Sequence, residues 1–379
     1  MASNESSASP TAESAALVLV TGATGFIATH CIRRLLEAGY RVRGTVRSLQ
    51  NEKKKGPLLE LFKPRDAANA CRLELVEAVL GEADCWRRAM SNVDYVMHIA
   101  SPMIINGNPR DEDVVKPAVE GTLNVLRAAA EEASVKRVVY CGSIAAVICG
   151  NRDYDKTLFE ETDWSDLRNV RPYDKSKHVA ERAAWEFVET TRAGGRPLEM
   201  VALLPSDVYG PFITPNYSSG ADYIRKVLRG EMPALRMANP VVDVKDVAEA
   251  HLRALTAAGA HGRRVPLATD DAVDAYMISA ALKDEFEPRG CTVKMWAPPW
   301  WIIYGLSWFT RDYAGAHYLM NREIKISSKA RRELLGMTEM VDWKESVLRF
   351  AHSLFEMGFI EKPDTFKPKG SSDIASVER

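Results

Sequence analysis

Leu17-Val-Leu-Val-Thr21-Gly22-Ala23-Thr24-Gly25-Phe26-Ile27-Ala28 is the stretch that decides the fold. The run from Ala16 to Thr21 is apolar and β-branched and stops at a glycine, the pattern of a parallel strand buried on both faces. From Phe26 to Ala38, Ile27, Cys31 and Leu35 recur at four-residue spacing with Ile32 and Leu36 beside them, and Gly39 ends the pattern as a helix C-cap does. Between strand and helix lies a GxxGxxA turn, tighter than GxGxxG. Its glycines let the backbone approach a pyrophosphate, and the helix N-terminus offers unpaired N–H groups and positive potential. Glycines also serve plain turns, so the weight comes from the setting, between an opening strand and an amphipathic helix.

Working outward, Arg41–Val46, Arg72–Leu80, Tyr95–Ala100, Lys136–Ser143 and Met200–Leu204 read as further strands, and Val114–Glu132 and Ser176–Arg192 as helices. That alternation predicts an α/β fold, a Rossmann doubly wound parallel sheet covered on both faces. From about Pro205 the regularity weakens, which predicts a smaller, mostly helical C-terminal substrate-binding region interleaved with last sheet strands near Val241–Val244 and Arg264–Ala268. The division is a disordered arm at 1–15, a dinucleotide-binding domain at 16–204, the substrate-binding region at 205–362 and a disordered tail at 363–379. The arm has no basic segment followed by an apolar one, so it does not read as a signal peptide, and the tail is too polar to offset its ordering entropy.

Composition narrows the function. In 379 residues, 50 Lys and Arg nearly balance 51 Asp and Glu, a net charge of -1 that argues against nucleic-acid binding by phosphate neutralisation. The six cysteines form no CxxC pair, which suits free thiols, a reducing compartment and a cytoplasmic location. No His/Asp/Glu cluster has ligand spacing, so no metal is expected. Met295 to Phe309, MWAPPWWIIYGLSWF, is too short and proline-broken to span a bilayer. It reads first as a helix over an apolar substrate pocket and second as a peripheral contact at a membrane interface.

The second strand selects the dinucleotide. An acid about 20 residues on would bind ribose hydroxyls, but here Arg41-Val-Arg-Gly-Thr-Val-Arg47 is followed by Lys53-Lys54-Lys55. Cations, Arg47 foremost, stand where a 2′-phosphate would sit, which points to NADP(H); for any single lysine of the run, a solvated helix face is the simpler reading. Tyr173-Asp-Lys-Ser-Lys177 opens a predicted helix, where side chains at i and i+4 share a face. A cation beside a phenol favours its anion and makes Tyr173 a usable acid/base. The strand before it ends in Cys141-Gly142-Ser143, and ligands gather at the carboxyl ends of parallel strands, so Ser143 is the third partner. His98 and His251 read as structural, and Asp243 and Asp246 as a turn and a helix N-cap.

Together these motifs resemble the extended short-chain dehydrogenase/reductases, in the branch of dihydroflavonol reductase, cinnamoyl-CoA reductase and yeast methylglyoxal reductase. The likeness runs from about Leu17 to Lys362 through TGATGFIA (21–28), VRGTVR (42–47), HIASP (98–102), KPAVEGTLNVLRAA (116–129), VKRVVYCGS (135–143), YDKSK (173–177) and VVDVKDVAEAH (241–251), with KARRELLGM (329–337) a weaker echo. The resemblance implies a cofactor site of Thr21, Gly22, Thr24, Gly25, Phe26 and Ile27 at the pyrophosphate, Arg47 and Lys54 at the 2′-phosphate, and Ala100, Ser101, Leu204 and Pro205 along the cofactor. It implies that Ser143 holds the substrate carbonyl, Tyr173 donates the proton as hydride arrives, and Lys177 holds the nicotinamide ribose and tunes Tyr173.

Three departures stand out: Val79 where an acid often lies near adenine, Leu204-Pro205 where Asn-Pro is common, and Cys141-Gly142 where Thr-Ser is usual. The reaction expected is NADPH-dependent reduction of a bulky apolar or aromatic aldehyde or ketone, a small-molecule carbonyl substrate, by a monomer or homodimer. The pocket is expected from loops at 102–113, 150–171, 206–223 and 296–313. The alternatives are 3β-hydroxysteroid or sterol dehydrogenase-like alcohol oxidation, and a non-catalytic NADP(H)-sensing protein.

Overall fold

The structure, a computed structural model, describes residues 15–63, 72–102, 110–168, 170–217, 220–309, 318–363 and 366, the side chains of 300 and 306–309 excepted. The expected arm, most of the expected tail, and the pocket loops at 103–109 and 310–313 lie outside the described residues.

The first half alternates strand and helix: β1 (Leu17–Val20), α1 (Phe26–Glu37), β2 (Arg41–Val46), α2 (Glu52–Leu61), β3 (Leu73–Glu77), α3 (Ala83–Met90), β4 (Tyr95–His98), α4 (Asp111–Glu131), β5 (Arg137–Cys141), α5 (Ala145–Ile148), β6 (Leu158–Phe159), α6 (Pro172–Ala193) and β7 (Met200–Pro205). The second half holds β8 (Asp207–Tyr209), α7 (Gly220–Leu228), β9 (Val241–Asp243), α8 (Val244–Ala254), β10 (Arg264–Leu267), α9 (Ala275–Phe286), α10 (Trp300–Phe309), β11 (Lys325–Ile326), α11 (Lys329–Leu335) and α12 (Trp343–Glu356).

Seven strands form one parallel sheet in the order β10-β7-β5-β4-β1-β2-β3. The chain starts in the middle, winds out to β3, then returns past β1 to wind the other way. The reversal between β1 and β4 makes the crevice where parallel α/β sheets bind ligands.

Alternation within the strands feeds two cores. Leu17 and Leu19 of β1 face a core shared with α4 and α6, while Val18 and Val20 face one shared with α1 and α8. In α1 the stripe expected from sequence faces the core: Cys31, Ile32 and Leu35 are fully enclosed with Ala28 beside them, and Ile27 and Leu36 are half-buried at its margins. Each large aliphatic chain so buried is worth about 1.5–3 kcal/mol. A third core, with Phe212, Phe286 and Phe350, joins α7, α9 and α12 beside β8 and β9.

Two expectations need correction. Val241–Asp243 is not a strand of the main sheet but pairs with Asp207–Tyr209 in a separate two-stranded sheet. β10 occupies the free edge of β7, with Ser206 N–H donating to the Leu267 carbonyl, so β9 finds no edge there. The N-cap of α8 is Asp243, whose carboxylate accepts the Lys245 N–H, and Asp246 sits one turn in and accepts the Val341 N–H at 2.8 Å.

Candidate active site

The carboxyl ends of β1, β2, β4, β5 and β7 bring most of the expected residues to one rim. Gly22 follows β1 with φ +67, a left-handed conformation that favours glycine, and a Cβ there would stand 3.0 Å from that of Ala100. The turn therefore lies directly against the end of β4. Gly25 is the α1 N-cap without a side-chain cap bond, so the first-turn N–H groups have no helical or capping partner. A left-handed glycine, a close crossing and an uncapped helix end fit a dinucleotide pyrophosphate.

The turn's side chains do other work. Thr21 is fully buried, and its Oγ1 accepts the N–H of Ile99 (2.9 Å) and of Ala100 (2.8 Å). With both lone pairs engaged, its hydroxyl hydrogen is left for His98 Nδ1, 3.1 Å away. Burial, with Lys177 nearby, lowers the His98 pKa to about 3, so the imidazole is neutral and able to accept. Phe26 packs its ring on Phe212 and Phe350 and ties the turn to the third core. Thr24 and Ile27 are half-buried. Arg47 is exposed just past β2 and Lys54 is exposed in the first turn of α2, and neither has an ion pair among the described residues. Val79, in the place of the missing acid, uses its carbonyl to accept Trp86 Nε1–H at 3.2 Å.

Tyr173 and Lys177 stand one turn apart at the start of α6, which begins at Pro172, earlier than Ser176. Proline at the first helical position fixes φ where no N–H partner is needed. Lys177 Nζ lies 5.6 Å from the Tyr173 ring centroid. Lys177 is only 7% exposed and has no carboxylate partner among the described residues. Its charge is felt by His98 and Cys141, at the ends of β4 and β5, so the ammonium reaches toward the rim. Ser143 is half-buried just past β5, and its Oγ accepts the Ala145 N–H at 3.2 Å. Ala100 and Ser101 are half-buried at the rim past β4.

Two of the sequence departures explain each other. Leu204 is fully buried, with Cδ2 2.6 Å from where a Cβ of residue 142 would stand. Gly142 thus makes room for Leu204, whose side chain serves the core while Pro205 meets the site loop by accepting the Ile144 N–H at 2.9 Å.

Sequence reasoning missed Arg171 and Asp174, which flank Tyr173. The guanidinium bonds the buried Asp174 carboxylate through Nε and Nη2, both at 2.9 Å, and holds itself charged. Asp207, exposed at the start of β8 yet closely ringed by protein, has its pKa raised by desolvation, with Arg171 pulling the other way. An Arg-Pro-Tyr-Asp run with Arg and Asp three apart was the only available signal. A polar cavity of about 580 Å³, lined in part by Arg236, Asp270, Asp274, Arg322 and Trp343, contains none of the expected site residues. Among the described residues, no three His, Cys, Asp or Glu are grouped to hold a metal, and no helix is long and apolar enough to cross a membrane.

The model of the NAD dependent epimerase/dehydratase family matches residues 18–268, the span from β1 through β10. The chain belongs to that family. Among family relatives, cinnamoyl-CoA reductase 1 of Petunia hybrida is 40% identical over 255 residues, 65% of this chain and 71% of the relative. Tetraketide alpha-pyrone reductase 1 of Arabidopsis thaliana is 36% identical over 255 residues, 65% and 75% of the two chains. The family fold extends beyond the matched span: yeast methylglyoxal/isovaleraldehyde reductase, solved with NADPH, superposes with a TM-score of 0.74 at 26% identity, covering 91% of this chain and all of that one. The resemblance drawn from the motifs is borne out.

Proposed function

We propose that this chain is an NADPH-dependent oxidoreductase that reduces an aldehyde or ketone, bulky and apolar or aromatic, with Tyr173 as the proton donor. One observation carries the reading: a lysine, buried without a counter-ion among the described residues, one helical turn from a tyrosine at the carboxyl rim of the sheet. An unpaired buried ammonium is costly, and a protein that merely sensed a dinucleotide has no need to keep it beside a phenol and Ser143. Reductase relatives and a neighbour solved with NADPH support the same chemistry.

A nicotinamide held at this rim would supply the hydride for the carbonyl carbon. Gly22, Gly25 and the N–H groups opening α1 would hold the pyrophosphate, and Arg47 with Lys54 would meet the 2′-phosphate. Because Ser143 Oγ already accepts the Ala145 N–H, its own hydrogen is left to donate to the substrate carbonyl oxygen. Tyr173 gives its proton to that oxygen as negative charge develops there, and the Lys177 cation favours the phenolate left behind. Hydride and proton together make the alcohol. The substrate pocket would draw on the loops expected from the sequence, at 102–113, 150–171, 206–223 and 296–313.

The test is NADPH consumption by the full chain against aromatic aldehydes, dihydroflavonols, methylglyoxal-like ketones and 3-ketosteroids. Tyr173→Phe is expected to bind NADPH normally and to lose roughly 10²–10⁴-fold in kcat. A wild type that binds NADPH but turns over nothing in the panel, or a Tyr173→Phe that keeps its rate, overturns the reading.

A further inference from the structure

We propose that Arg171 and Asp207 form a hydroxyl-binding end of the substrate pocket, so that the favoured substrate is an aromatic aldehyde or ketone with a hydroxyl on its ring. The inference rests on the reductase reading and deepens it. Both residues belong to segments expected to line the pocket, and both follow from elements that deliver the reacting groups. Arg171 is the N-cap of α6, two residues before Tyr173. Asp207 is two residues past Pro205, which is level with Ser143, since Cys141 pairs with Leu203 and the Ile144 N–H donates to the Pro205 carbonyl. At about 3.3 Å per residue, the Asp207 backbone lies within roughly 7 Å of that level, a span that one aromatic ring bridges.

Two observations point to a ligand. Both side chains combine wide exposure with dense surroundings: the Arg171 side chain is 51% exposed and Asp207 is exposed, yet protein closes round each of them, as at the bottom of a cleft. The two charges also feel one another while standing too far apart for an ion pair. Each keeps spare hydrogen-bonding capacity. Arg171 spends Nε and Nη2 on Asp174 and has Nη1 left, and the Asp207 carboxylate has no ion pair among the described residues. The Asn239 amide leans toward that carboxylate, but its Nδ2 completes no hydrogen bond. Opposite charges held apart where water is scarce are costly unless something bridges them.

The neighbouring charges narrow the class of ligand. Arg171 and Asp174 neutralise each other, Asp207 is left over, and Asp274, which also reaches Tyr223, pairs with Arg236 at 3.7 Å. An ammonium would meet the Arg171 guanidinium, and a carboxylate would meet Asp207 and Asp174. A ketone oxygen only accepts. A hydroxyl donates and accepts, so it satisfies the Asp207 carboxylate and Arg171 Nη1 at once.

NADPH oxidation by the full chain, measured with benzaldehyde and cinnamaldehyde and with the meta- and para-hydroxy derivatives of each, tests this. The wild type is expected to turn over at least one hydroxy derivative with kcat/KM about tenfold or more above its parent, the worth of one hydrogen bond to a charged group. Asp207→Leu should cut that preference at least about fivefold, and Asp207→Asn, which keeps an acceptor oxygen in a similar shape, should cut it less, with the loss carried by KM. NADPH affinity like that of the wild type, read by calorimetry, shows that both variants fold. A wild type that reduces aldehydes with no preference for any hydroxy derivative overturns the proposal and leaves the reductase reading standing. So does a preference that survives Asp207→Leu, which gives the gap between the two charges to water. A wild type that reduces no carbonyl compound, hydroxylated or not, overturns the reductase reading and this proposal with it.

Discussion

At Gly22 three constraints meet in one residue: a positive φ, contact with Ala100, and a place opposite an uncapped helix end. Gly22→Ala should cost about 1–2 kcal/mol for a left-handed alanine and push the turn off β4. Because the turn carries the proposed pyrophosphate site, NADPH affinity should fall at least about tenfold, read by calorimetric titration; an unchanged affinity excludes this turn as the cradle. The glycine was legible because only a backbone requirement explains it there. Thr21 and Phe26 were not: their side chains serve residues 77 and more positions away, bonding the end of β4 and stacking on Phe212 and Phe350. Local spacing holds no trace of such partners.

Among the elements, α6 carries the most function, since it holds Tyr173 and Lys177 at its start and locks the sheet's edge strand further along. Glu181 is fully buried and binds Arg264 of β10 at 2.6 Å, and Arg264 also stacks on Trp164 with its guanidinium carbon 3.6 Å from the ring centroid. Its Nη1 donates to the carbonyls of Glu161 and Asp163, so the cation joins helix, edge strand and the loop before the helix. Glu181→Ala strands that charge and should destabilise the fold by about 3–5 kcal/mol in urea unfolding. Glu181→Gln, which keeps a hydrogen-bond acceptor, should lose less. Equal losses for the two would mean that packing, not charge, sets the value. The helix itself was readable from its period. The ion pair was not, because 83 residues separate its partners.

Across the whole molecule, buried imidazoles set the response to acid. Burial lowers His30 and His98 to about 3 and His178 and His251 to about 4, against about 6.5 unfolded. Between pH 6.5 and 4 the unfolded chain therefore binds protons the native one refuses, and stability falls as the pH falls, by at most about 1.4 kcal/mol per pH unit for each group. His178, only half-buried, contributes less. Asp246 opposes them: burial raises it to about 6, so its protonation favours the native state as the pH falls through the same range. Burial raises Asp207 and Asp243 as well, in the same sense as Asp246, and four imidazoles against three carboxyls leave acid destabilising. The Tm should drop by several degrees between pH 7 and pH 5 in scanning calorimetry. A Tm that is flat or rises toward acid would mean that those histidines are not neutral in the native state.

By itself the sequence determined the winding of the sheet, the glycine turn and the tyrosine-lysine pair, because each depends on a period or spacing within a dozen residues. Only the tertiary structure decided which strand takes the free edge of β7, that Asp243 rather than Asp246 caps α8, that Gly142 and Leu204 share one space, and that Lys177 is buried without a counter-ion among the described residues. Those outcomes depend on which surfaces meet after the chain has folded back on itself. Burial and charge compensation are properties of that meeting, and no local pattern encodes them.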